Sequence, residues 1–106
     1  MNFVLTIYTE HIYQEIFLPE LDNSDFSLHL RAADFALGDD VVLPMEVIDG
    51  QWFFKPSDTC RILCAGSSFV GQAIYSGQIL RILTSLDETV AVMVWEKPSQ
   101  ITAYPK

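Results

Sequence analysis

Cysteine and histidine are scarce in this chain of 106 residues: Cys60 and Cys64 are the only thiols, and His11 and His29 the only imidazoles. The cysteines bracket Arg61-Ile62-Leu63 in an alternating run, which places them on one face of a strand ~13 Å apart at ~3.3 Å per residue. Bridged Cα atoms lie within ~7 Å, so these two do not pair with each other and read as small buried thiols. Neither histidine stands at metal-ligand spacing, and no zinc signature can be assembled. Positive charge is also short. Six basic against fourteen acidic side chains give a net charge of −8, which repels a phosphate backbone and excludes nucleic acid as the expected partner. No apolar run approaches the ~20 residues that cross a bilayer, and Met1-Asn2-Phe3-Val4 lacks the basic region of a secretory leader, so the expected location is cytoplasmic, without direct membrane insertion. No Gly-x-Ser-x-Gly, phosphate-cradling glycine loop or His-Glu-x-x-His occurs, and Ser67-Ser68 follows Gly66 without the second glycine of a nucleophile elbow. The chain is therefore expected not to be an enzyme, with no catalytic residue, metal or cofactor.

No window of about a dozen residues holds a capped 3.6-residue pattern, which excludes a substantial helix. What remains is a grammar of short apolar runs and polar punctuation. Asp49-Gly50, between Val41–Ile48 and Gln51–Phe54, is the strongest signal, because a type I′ turn needs positive φ at both central positions. Phe3–Tyr8 and Ile12–Leu18 read as a first hairpin, with His11 at its tip. Phe26–Leu30, carrying His29, reads as a third strand, and Arg31–Leu37 as either a helical turn or an extended loop. Thr59–Leu63 is a strand and Ala65–Ser68 a turn. Phe69-Val70 with Ala73-Ile74 reads as a small ribbon, and Ile79–Thr84 with Thr89–Trp95 as the last hairpin. Strands recurring every eight to twelve residues give an all-β fold, an antiparallel β-sandwich. Half of the residues are hydrophobic, enough for one core over residues 1–97, with 98–106 as a tail or the start of a linker.

Within this frame, Pro44 removes a ladder donor and marks its stretch as an edge strand or a bulge. Trp52 reads as a core plug beside Met45 or Val47. Carboxylates gather at Glu20-Asp22-Asp25, Asp34-Asp39-Asp40 and Asp87-Glu88. The twelve-position calcium loop with its glycine is missing, so these read as solvated loop charge.

Taken in order, the first hairpin, Asp34-Phe35-Ala36-Leu37, the strand into Ile48-Asp49-Gly50-Gln51-Trp52, and Tyr75-Ser76-Gly77-Gln78-Ile79-Leu80-Arg81-Ile82 resemble the forkhead-associated domain. In that family a "dG-x-W" hairpin and a later "L-x-x-G-D-x-I" segment occupy comparable places. The resemblance spans roughly residues 3 to 96. In particular the chain is similar to the degenerate forkhead-associated domains at the cytosolic N-terminus of the membrane ATPases of type VII secretion systems. The resemblance implies a β-sandwich that binds proteins. A phosphothreonine reader of this family carries Gly-Arg before the Asp step, Ser-x-x-His in the next strand and an Asn-Gly turn. Here that strand reads Leu43-Pro44-Met45-Glu46, Gly71-Gln72 stands near the Asn-Gly position, and Gln78 replaces the acidic residue. Arg31 is the one cation near the Asp step, among Asp34, Asp39, Asp40 and Glu46. A doubly charged phosphate needs cations and oriented donors.

The expected function is a phosphate-independent protein-interaction module: a regulatory or docking domain of a bacterial secretion-type assembly at the inner face of the membrane. Its partners would be other components of that assembly. Binding is expected through loop tips carrying Arg31, Asp39, Asp40, Ser67 and Ser68, or by strand addition along the Pro44 edge. The rivals are a phosphothreonine-peptide reader and a ligand-binding β-barrel with a cavity lined by Trp52, Phe54 and Tyr75.

Overall fold

The computed structural model describes residues 2–97. The expected tail or linker over 98–106 lies outside the described residues. Nine strands and one helical turn follow in chain order: β1 (Asn2–Tyr8), β2 (Tyr13–Phe17), β3 (Ser24–Leu30), α1 (Ala32–Phe35), β4 (Val41–Ile48), β5 (Gln51–Phe54), β6 (Cys60–Cys64), β7 (Ser67–Ser68), β8 (Ile79–Thr84) and β9 (Thr89–Lys97). They form two antiparallel sheets, one of six strands in the order β2-β1-β9-β8-β6-β7 and one of three in the order β3-β4-β5. The fold is an all-β sandwich. Arg31–Leu37 resolves to the single turn α1, stopped where Ala36 enters the left-handed region at φ 55°.

The turns follow their chemistry. Asp49 and Gly50 have φ of 52° and 79°, the pairing a I′ turn demands, and the Asp49 amide donates to Asn23 Oδ1 at 2.6 Å. Ala65-Gly66 repeats the device at 51° and 84°. This turn is tighter than the expected Ala65–Ser68, so Ser67 and Ser68 pair with Cys64 and Leu63. Gly50→Val should cost about 1–2 kcal/mol, because a branched side chain disfavours positive φ; a lowered urea midpoint would show it.

The core forms where the alternating faces meet. The three-stranded sheet contributes bulk, with Leu28, Leu43, Met45, Trp52 and Phe54 all buried. Trp52 stands opposite Val47 and makes an edge contact with Phe26 at 5.5 Å. The six-stranded sheet contributes Leu5, Ile7, Ile62, Leu80, Ile82, Val90, Val92 and Val94. Phe35, from α1, closes one end of the same cluster.

Two expectations fail. Pro44 lies in β4, the central strand of its sheet, in unbroken register opposite Ser27. Backbone geometry explains the tolerance. The Pro44 carbonyl accepts from the Lys55 amide at 2.8 Å, so its imide nitrogen also faces the β5 side. There the ladder has ended at Met45–Phe54, and the missing donor breaks no bond to β3. Strand addition along Pro44 is thereby closed off. The second failure is the ribbon of Phe69-Val70 with Ala73-Ile74. The Phe69 amide donates to Ile62 in the large sheet, whereas that of Ile74 donates to Trp52 in the small one. This segment therefore ties the two sheets together.

Candidate functional site

Two surfaces carry the residues that bear on function. The first is the loop end around α1. The Asp40 carboxylate accepts from the Ala32 amide at 2.7 Å. Glu88, on the β8–β9 connection, accepts from the Gly38 amide with both oxygens, at 2.9 and 3.2 Å. A Cβ on Gly38 would meet Leu86 Cδ1 at 2.5 Å, so the two connections touch here, against the end of an exposed leucine side chain. Asp39, Asp40, Thr59 and Ser85 line a surface cleft of about 570 Å³ here. Two of these acids thus organise loop backbone. Glu88→Ala should cost about 1 kcal/mol through the lost charge-assisted bonds and speed amide exchange at Gly38.

Arg31 belongs to this end but points no cradle at a ligand. Its side chain is 73% exposed and approaches only Asp34, at 4.0 Å. Ser67 and Ser68 sit elsewhere. They form the outermost strand of the large sheet, beside Leu63 and Cys64, whereas the loop end adjoins Cys60, which pairs with Thr84 at the opposite end of β6. The structure therefore brings Arg31, Asp39 and Asp40 together and leaves the two serines apart. Among the described residues no three His, Cys, Asp or Glu side chains converge as a metal set. Trp52 and Phe54 are core residues while Tyr75 is exposed, so these three do not line one cavity.

The second surface was not anticipated: the outer face of the six-stranded sheet. The register sets its side chains in rows. Phe17, Val4 and Trp95 stand abreast across β2, β1 and β9. Glu15, Thr6, Met93 and Ile79 form the next row, reaching β8. Tyr13, Tyr8, Ala91, Arg81 and Leu63 form the third, ending on β6 beside Ser68. Thr89, Leu83 and Arg61 close the face. The face is largely apolar. Phe17 is 42% exposed, Trp95 39%, Tyr13 59% and Ile79 57%. Tyr8 and Tyr13 meet edge to face at 5.0 Å. Lys97 Nζ lies 3.3 Å from Glu15 Oε2 and 6.0 Å from the centre of the Phe17 ring. Val4, between Phe17 and Trp95 in the first row, is fully buried. The outer face of the small sheet is mixed, setting Asp25, Ser27, His29 and Glu46 among Val42, Pro44, Ile48 and Phe53, and among the described residues it carries no exposed Trp or Tyr. One face of an antiparallel sheet is normally left to water and polar side chains. The large sheet departs from that furthest, with Tyr8, Tyr13, Phe17, Ile79 and Trp95 all exposed on its outer side.

The signal was present in the sequence as consecutive burial-prone residues in Phe3-Val4-Leu5-Thr6-Ile7-Tyr8 and in Ala91–Trp95. Only the pairing of β1 with β2 and β9 turned those runs into one surface. No protein-family model matches this chain, and comparison with the curated proteins and with the solved structures finds no match. Among the described residues no helix is long and apolar enough to cross a membrane.

Proposed function

We propose that this chain is a non-catalytic protein-interaction module that binds without phosphate, a docking domain of a type VII secretion-like assembly at the cytoplasmic side of the membrane. One observation carries the interaction reading: the large sheet exposes Trp95, Phe17, Tyr13 and Ile79 together on one face. Contiguous apolar surface of this kind on a folded domain marks a contact site. The secretion context rests on the forkhead-associated resemblance, to which the two-sheet architecture and the Asp49-Gly50 hairpin ahead of Trp52 add support. Phosphate independence rests on Arg31, whose guanidinium is open to solvent and already faces Asp34. Dianion capture needs several converging donors.

Affinity capture on the full chain, from native membranes divided into phosphatase-treated and untreated halves, tests this reading. The same protein should be retained from both halves at moderate salt. Retention lost on dephosphorylation would transfer the function to phosphothreonine reading, and retention of nothing would remove the docking role.

A further inference from the structure

The charge on the outer face of the large sheet runs against that of the molecule. The chain carries −8, yet the strand positions of this face present Arg61, Arg81 and Lys97 against one acid, Glu15, with Asp58 and Asp87 reaching only the cleft at its end beside Arg61. Over those strand positions the surplus is two positive charges. Glu15 is engaged by Lys97, whereas Arg61 and Arg81 make no ion pair among the described residues. The two arginines are diagonal neighbours on β6 and β8, since Arg61 pairs with Leu83 and Leu63 with Arg81, which sets their Cα atoms roughly 7 Å apart. Beside them Leu63, Ile79 and Arg81 border a cleft of about 580 Å³. Its lining combines the apolar Leu63, Ala65 and Ile79 with one guanidinium, that of Arg81.

We propose that this face receives an amphipathic protein segment whose apolar side chains are flanked by aspartate or glutamate. The inference rests on the docking reading above and adds the chemistry of the partner. Tryptophan, tyrosine and arginine are the side chains that dominate protein–protein hot spots, and guanidinium pairs take carboxylates in fixed geometry. A flat sheet face also suits a helix or second sheet packed at ~10 Å. A second copy laid face to face would set arginine against arginine between two chains of −8. An anionic lipid surface would meet Glu15 in the midst of the aromatic rows and the acidic remainder of the chain around them.

Site-specific photo-crosslinking in the native host tests the proposal, with p-benzoylphenylalanine introduced into the full chain at Ile79, at Asp39 or at Val42. The Ile79 probe should label a protein segment that combines apolar residues with at least two acids. Arg61→Glu with Arg81→Glu should cut that yield at least tenfold while the melting temperature stays unchanged, and changing the recovered acids to lysine should restore it. Adducts to phospholipid, to a second copy of this chain or to a segment without acids would overturn the proposal, as would a yield indifferent to the double reversal. Labelling from Asp39 or Val42 alone would remove this face and leave the docking reading intact. Absence of any protein adduct from all three positions would remove both.

Discussion

Replacing Phe54 with alanine is expected to cost about 3–5 kcal/mol, the range for deleting a fully buried ring. Phe54 is 2% exposed, among the largest of the fully buried side chains. It stands opposite Met45 in the small sheet, and that sheet has only three strands with which to fill the space facing six. The large sheet contributes mainly valine, leucine and isoleucine, which sit in stiff rotamers and close only part of a ring-sized void. A domain of this size holds about 5–15 kcal/mol in total, so most of the margin would be lost. The urea midpoint should fall by roughly 2 M for a slope of ~1–3 kcal/mol per M. Phe53→Ala supplies the control. Its ring points to the other face of β5 and is only half-buried, so about 1 kcal/mol is expected. Equal losses at the two positions would mean that the sheets do not pack through Phe54.

The fold was legible because its punctuation is local. Asp49-Gly50 fixes a hairpin within four residues, and the alternation in Val41–Ile48 fixes which side chains enter the core. Pro44 misled for a definite reason. Proline forbids one donor on one side of a strand, and sequence does not say which side faces a neighbour. In β4 that side is where β5 has already ended. The segment Phe69–Ile74 misled because its residues have strand composition but spend their backbone donors on two different sheets, a long-range choice that composition does not encode.

The site was less legible than the fold. Arg31, Asp39 and Asp40 read as charged loop residues and do share one end of the sandwich, but Asp40 is committed to the Ala32 amide. Ser67 and Ser68 share only their loop-like composition with these residues, and the pairing of β7 with β6 carries them to the far edge. The aromatic face was hidden for the opposite reason, because its runs become one surface only through strand order. Tyr8, Phe17, Ile79 and Trp95 lie up to 87 positions apart in the sequence, and each alone is an unremarkable strand residue. The order β2-β1-β9-β8 makes them neighbours, and order is the property that short-range patterns specify least.

Ile79→Glu is expected to weaken partner binding about 100-fold, and Ile79→Lys only about tenfold, with folding indifferent to both. Ile79 is 57% exposed at the first position of β8, so each substitution should leave stability within about 0.5 kcal/mol and the melting temperature within about 4 °C. Either change removes an apolar contact beside the cleft at the end of its row, a loss of the size seen when an interface anchor is truncated, ~2 kcal/mol or less at a partly exposed position. The glutamate does more. Residue 79 lies two positions from Arg81 on the same face of β8, so a new carboxylate competes for that guanidinium and opposes an acidic partner directly. The lysine keeps the sign of the face. The tenfold gap between the two variants, ~1.4 kcal/mol, therefore measures the electrostatic share of recognition, and it should shrink as salt rises through the Debye range. Titration of the captured segment against both variants at low and high ionic strength reads it directly. Equal weakening by the two substitutions at every salt concentration would leave the apolar rows as the whole of the interaction and strip Arg61 and Arg81 of any part in it.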